Sequence, residues 1–411
     1  MTNQSDLQQS IRAITSTTLN YEGDWHALFD SASIPAGTYN ERLLAWINAQ
    51  LSSSYTEING AKAAYAENRA SGGGTPWQLQ LKADGVDPTL ALQFDRQRYA
   101  ANNATKSFAD ILTATRSTTG TYFDASGVMR EAAINEMRFD HDPVTGESLG
   151  LLLEGARTNL VLNSATGSAQ SITVTAVAHT LSFYGTGTVT LSGVYSGSLV
   201  GSGAYPERST LTFTPTAGSL TISVTGTIQF IQIEAGSFPS SYIPTTSGAV
   251  TRAADVVLNN ASNTVPFASW YNQSEGAVVV DFDMLTTTSG VFPILVSIDN
   301  GVTNEMISVQ QRNTSVGIKY EGVDGGVSQA SINVTDSLVG RRKLAVVAKL
   351  NDFAISINAS VPSTDTNGTM PTPTRISIGF GAGGISMHGH IRALYYYPVR
   401  VSNAELQRIT T

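Results

Sequence analysis

Asp281 and Asp283 stand two residues apart in the run 278–284, so an extended strand puts both carboxylates on one face and Phe282 on the other. Such a pair can accept sugar hydroxyls or hold a structural cation such as calcium. Glycoside hydrolysis needs two carboxylates opposed across a groove, about 5 to 9 Å apart, and two acids adjacent on one strand do not meet that requirement. The plainer reading is a pair of solvated acids on the polar outer face of an antiparallel sheet. His388 and His390 also alternate onto one face, yet no third ligand of the zinc type lies nearby, and they read as structural. His26, His141 and His179 fall in three separate regions, so no Ser-His-Asp arrangement can be argued. The glycine-rich stretch 379–384 lacks the Lys-Ser/Thr of a phosphate loop and reads as a turn. No catalytic residue and no cofactor is assigned. Trp270, Tyr271 and Tyr320 are the aromatic candidates for stacking on a ligand, together with Asp281 and Asp283; each ring could equally be core packing.

The elements that position these residues are mostly strands. At 411 residues the chain exceeds one ordinary core. Only 14% of residues are charged, and short apolar runs alternate with Gly, Ser and Thr, the texture of an all-β protein with many turns. A formal charge of −8 argues against nucleic acid as a partner, since phosphate affinity rests on clustered Lys and Arg. With no cysteine there is neither disulfide nor thiolate metal site. The opening residues show no basic and apolar leader, and no apolar run reaches the roughly 18 to 20 residues that span a bilayer. The expectation is a product made in the cytoplasm without membrane insertion.

Helix formers dominate residues 39–69, up to the glycine run 72–74. Leu44, Leu51, Ile58 and Tyr65 recur every seven residues, and Ile47 and Ala61 follow the first and third by three. That seam predicts a short oligomerisation helix, or an amphipathic helix packed on the segment around Trp25, Leu28 and Phe29; Ser54 weakens it. Residues 77–82, 90–95, 121–128 and 149–154 read as strands, while 100–120 show no clear period. Five short strands between 173 and 234 space themselves as a small jelly-roll-like sandwich, and six more between 278 and 358 as a second, two-sheet one. An aromatic strand, 388–398, then runs into Ser402, an N-cap, with Glu405 three residues later completing a capping box over a final helix. The division expected is 1–72 helical attachment or oligomerisation segment, 73–164 β-rich connection, 165–260 small β-sandwich and 261–411 larger β-sandwich.

The closing strand and capped helix resemble the end of the concanavalin A-like (laminin-G-like) sandwich. Residues 149–160, LGLLLEGARTNL, and 240–246 with 250–255, SSYIPTT and VTRAAD, resemble a pair of signatures that recur in tailed-bacteriophage virion proteins ahead of a laminin-G-like domain. Arg138-Phe139-Asp140 fits the same lead-in, and the likeness covers residues 120–411. Tail fibres and head spikes share these signatures. The resemblance implies a non-enzymatic virion protein, assembled in the host cytoplasm, that joins other virion proteins through its N-terminus. It implies a homo-oligomer, most often a trimer, displaying β-sandwiches toward a host-surface glycan or envelope component. Two other readings stay open: a purely architectural head spike, collar or decoration protein, and a polysaccharide depolymerase. Glu154, Arg157, Asn159, Arg252 and Asp255 themselves read as a packed junction tied by Arg–carboxylate bonds.

Overall fold

Period-two alternation with Gly and Asn at the turns folds the chain into antiparallel sheets. The computed structural model describes Arg42, Ala45 and residues 81–411, apart from 286–291, 313–316, 337–339 and 383–385. Arg42 and Ala45 are helical; Leu44, Ile47, Leu51, Ile58 and Tyr65 lie outside the described residues, as does most of the strand expected at 77–82.

Among the described residues ten strands form one sheet organised around the closing strand, Gly389–Tyr397. One edge of that strand pairs with Glu275–Met284, which in turn pairs with Gly340–Lys349. Its other edge is shared. Leu90–Gln93 takes the later half, with Leu92 opposite Leu394, and Ser148–Leu153 takes the start, with Leu152 opposite His390. A second, seven-stranded sheet runs Val327–Val334, Ile318–Asp324, Met306–Gln311, Ile294–Asp299, Arg375–Ile378, Val256–Leu258, Thr113–Thr115. The inner faces pack Leu92, Phe94, Val280, Phe282, Val346, Phe353 and Leu394 against Ile298, Ile307, Val309, Ile376 and Ile378.

The region expected to be a separate connection, 73–164, therefore supplies strands to both sheets of the sandwich assigned to 261–411. Local alternation marks a strand but carries no information about a partner some 300 residues away, which is why Leu90–Gln93 could not be placed beside residues 393–396. Residues 100–120, without a readable period, form the ends of the Arg98–Ala101 strand, the Ala104–Lys106 and Thr113–Thr115 strands, and a one-turn helix, Phe108–Ile111, with a capping box between Ser107 and Asp110.

The small sandwich is an insertion. Its four-stranded sheet (Gln170–Val174, Gly218–Thr225, Thr188–Gly193, Gly197–Val200) faces a three-stranded one (Gly203–Phe213, His179–Gly185, Gln229–Ala235) across a core of Leu181, Phe183, Leu191, Ile222, Ile231 and Ile233. The chain leaves for it along Arg157–Asn159 and returns along Val250–Arg252, and these two strands pair with each other. The protein is mainly β, a small two-sheet sandwich set into a larger two-sheet sandwich.

The signature residues meet where the insertion joins. Glu154, fully buried, accepts from Arg138 Nη1 at 2.7 Å, from Ser241 Oγ at 2.6 Å and from Ser241 N–H at 2.8 Å. Asp255 accepts from Arg138, from Arg116 Nη1 at 2.9 Å and from the Glu154 N–H at 2.9 Å. Arg252 Nη2 lies 3.4 Å from Glu154 and donates to the Gly155 carbonyl at 3.0 Å. Three buried guanidiniums thus share two carboxylates, and the carbonyls of Thr118, Thr121, Ala133 and Gly155 accept from further donors, while among the described residues Nε of Arg138 and of Arg252 stay without a hydrogen bond. Asn159 uses its whole amide: Nδ2 donates to Ile231 O and Ile243 O, and Oδ1 accepts from the N–H groups of Val161 and Ile233. Arg157 lays its guanidinium over Phe238, 4.7 Å from the ring centre.

Candidate functional site

The outer face of the ten-stranded sheet changes character along its strands. At one end Ala277, Val279, Ala345, Val347 and Tyr397 form an apolar patch, and Val401, just before the terminal helix Asn403–Ile409, and Leu406 within it pack on that patch. Period-two spacing then turns the same face polar: Val279 is followed by Asp281 and Asp283, and Ala345 is preceded by Lys343 and Arg341. Among the described residues no helix covers this half. The result is an open groove of about 390 Å³, of a size that takes a small ligand. Its floor includes Gln93, Asp281, Arg341, Lys343, Ala393 and Tyr395, and Leu81, Lys82, Arg408, Ile409 and Thr411 line it as well.

A bulge sets the geometry of the floor. Asp281 faces Ala393 and Phe282 faces Ile391, so Arg392 is the extra residue. Its carbonyl accepts from the N–H groups of Phe94 (2.8 Å) and Asp95 (3.1 Å), which brings Asp95 into the groove at the end of the Leu90–Gln93 strand. Burial raises the Asp95 carboxyl above its usual range; Arg96 opposes this and the negative charge of Asp281 adds to it. Both oxygens of Asp281 are taken by Arg341, Nε at 3.0 Å and Nη2 at 2.7 Å, a bidentate pair. Gln93 Nε2 donates to the Tyr395 hydroxyl at 3.0 Å, and burial pushes that hydroxyl up to about 12. Tyr395 therefore presents a half-buried ring with a neutral, hydrogen-bonded tip.

Of the five ligand candidates only Asp281 lines the groove, and it is buried and ion-paired rather than solvated. Asp283 is half-buried one pleat farther along. The aromatic candidates lie in the interior. Trp270 is 2% exposed in a T-shaped contact with Phe267 (4.8 Å), and Tyr271 is stacked on the same ring at 4.6 Å. Tyr320 is fully buried, its hydroxyl donating to the Val347 carbonyl at 3.2 Å. Tyr320 is turned inward by the register of its strand, Ile318–Asp324, whereas Trp270 and Tyr271 follow the short turn Phe267–Ser269 and pack against Tyr396, which composition does not reveal. The groove residues missed by sequence, Gln93, Asp95, Arg341 and Tyr395, had one available signal: the apolar-to-polar switch along two neighbouring strand faces. His388 and His390 serve packing. His390 Nε2 lies 2.9 Å from Asp140, and His388 sits edge-on to Phe238, where burial lowers its pKa to about 4. Among the described residues no group of three or more His, Asp and Glu is arranged to hold a metal ion, and no helix is long and apolar enough to cross a membrane.

No family model and no curated protein sequence matches the chain. Solved structures with a similar local fold include the CBM40 module of a Ruminococcus gnavus intramolecular trans-sialidase bound to α2,6-sialyllactose (14% identity, TM-score 0.32, 37% of this chain and 89% of that one). Others are an SAP-like pentraxin of Limulus polyphemus (12%, TM-score 0.28, 33% and 70%) and the NanB sialidase of Streptococcus pneumoniae (17%, TM-score 0.29, 35% and 25%).

Proposed function

We propose that the protein is a bacteriophage virion component, of tail-fibre or head-spike type, that binds a host-surface glycan in the groove beside the terminal helix without cleaving it. The observation that carries the binding reading is the groove itself: a polar half-face with an aromatic edge (Tyr395), an amide (Gln93) and an ion pair (Asp281, Arg341) on a four-strand floor. Aromatic faces beside hydrogen-bonding groups suit the alternating apolar and hydroxyl faces of a sugar. Binding is favoured over hydrolysis because Asp281 has both oxygens committed to Arg341. The virion reading is supported by the paired sequence signatures, whose residues build the junction between sandwich and insertion.

Titration of the full chain against bacterial surface polysaccharides tests this. A single groove is expected to bind with Kd in the micromolar-to-millimolar range, about −8 to −4 kcal/mol, and Tyr395→Ala to weaken binding about tenfold, or about 1.4 kcal/mol. No new reducing ends should appear. Silence across the polysaccharides, with host adsorption unchanged on removal of the protein, would favour the architectural reading. Shortened chains that vanish in Asp281→Asn would replace binding with depolymerisation.

The N-terminal heptads are proposed to assemble the chain, as a trimer, which multiplies weak sites on one particle. Light scattering should give an oligomer for the full chain and a monomer for a chain starting at Gly73; equal monomeric masses would remove the seam.

A further inference from the structure

The two arms that carry the insertion meet one histidine of the large sheet. His388, half-buried, directly precedes the closing strand Gly389–Tyr397. On the outgoing arm a side chain at Gly155 would bring its first carbon to 3.0 Å from His388 Nε2, closer than nearly all such contacts, so the bare backbone of a glycine gives the imidazole its place. On the return arm Phe238 meets the same imidazole edge-on, 4.8 Å between ring centres. Arg157, also from the outgoing arm, lies 4.7 Å from the centre of that Phe238 ring. One ring of the insertion thus carries a guanidinium and an imidazole at once. Nδ1 of His388 is buried and has no hydrogen bond among the described residues.

We propose that His388 is an acid-sensitive latch: its neutral ring holds both arms of the insertion against the large sheet, and its protonation loosens them. Protonation puts an N–H on both ring nitrogens, and Nδ1 has nothing here to receive it. Burial opposes the charge first. Of the charged groups that face the ring, the carboxylates of Glu154 and Asp255 favour a proton and the guanidiniums of Arg157 and Arg252 oppose it. Both carboxylates are already bonded to arginines, Glu154 to Arg138 and Asp255 to Arg116. In the docked state the imidazole is therefore held down to about 4, against 6.5 when it is free in water. A histidine lowered in this way contributes its full share to docking above 6.5 and loses it as pH falls from there to about 4. That loss begins at a higher pH than the Glu154 contribution, whose ordinary value is 4.5.

Hydrogen exchange of the full chain at pH 7 and pH 5, corrected for intrinsic rates, tests the latch. Protection of the paired arm strands, Arg157–Asn159 and Val250–Arg252, is expected to fall about tenfold or more at the lower pH, while the central strand of the insertion, His179–Gly185, keeps its own. In His388→Gln, which carries no titrating ring, the arms should be equally protected at both pH values. An NMR titration of His388 in the unaltered chain needs no variant and should place its midpoint well below 6.5; Phe238→Leu, which removes the ring it packs on, should move that midpoint upward. A midpoint at 6.5 in the folded chain would overturn the latch. So would arm protection that does not change with pH, or that falls as far in His388→Gln as in the unaltered chain.

Discussion

Replacing Arg138 by methionine is expected to lower the unfolding free energy by about 3–5 kcal/mol, the cost of removing one partner from a buried ionic network. Arg138 is fully buried and bonds at once to Glu154, Asp255, Ser241 and the Thr121 carbonyl, so one change takes a guanidinium from two buried acids and leaves Glu154 to Arg252 and Ser241, and Asp255 to Arg116. Chemical denaturation of the purified chain checks it. A loss below about 1 kcal/mol, the level of a surface pair, would mean the network adds nothing beyond its own desolvation. The pH dependence gives a second readout. Burial alone would raise the pKa of Glu154, but Arg252, Arg138 and the two Ser241 donors hold it well below the usual 4.5. A carboxylate depressed in the folded state contributes its full stabilisation above the unfolded value and loses it as pH falls through the folded one. Wild-type stability should therefore decline below pH 4.5, and the decline should be shallower in Arg138→Met, where one of the charges that depresses Glu154 is gone.

Deleting residues from Val401 onward should cost about 3–6 kcal/mol, since Val401 and Leu406 are both fully buried and each such side chain is worth about 1.5–3 kcal/mol. The deletion also opens Val279, Ala345, Val347 and Tyr397 to water. Leu406→Ala, a gentler change, should cost about 2–5 kcal/mol. Thermal melting of the intact and truncated chains decides the matter: coincident transitions would show that the helix does not seal the sheet.

How far the sequence could be read varied with the range of the interaction. The terminal helix was legible because its signal is local: Ser402 caps it, its Oγ accepting from the Glu405 N–H at 3.2 Å. Even there the expected capping box is not completed, since the Ser402 N–H donates to Asp84 and Glu405 turns to Arg408. Both partners come from outside the motif. Five of the seven strands of the small sandwich were legible for the same local reason, while Gln170–Val174 and Gly197–Val200 were not read. What could not be read was register and inward direction, which send Trp270 and Tyr320 into the core and leave Tyr395 at the surface. Glu154, Arg252 and Asp255 were recognised as structural from type and spacing, but Arg138 and Arg116, which complete the set, were not: each comes from a separate stretch of chain, and Arg116 lies in the one without a period.

The placing of the closing strand has a consequence for the order in which the chain can fold during synthesis. Leu90–Gln93 and Glu275–Met284 both hydrogen-bond to Gly389–Tyr397, which leaves the ribosome about 300 residues after the first of them. The insertion has all seven of its strands between Gln170 and Ala235 and can close as soon as that stretch has emerged. At about 5–20 residues per second, the Leu90–Gln93 edge then waits roughly 15–60 s for its partner. During that interval its unpaired backbone and the apolar side chains beside it are open to neighbouring nascent chains. Yield at high expression should accordingly be limited by events before the final strand appears, and slower initiation or a holding chaperone should raise it more than any substitution that stabilises the finished sandwich.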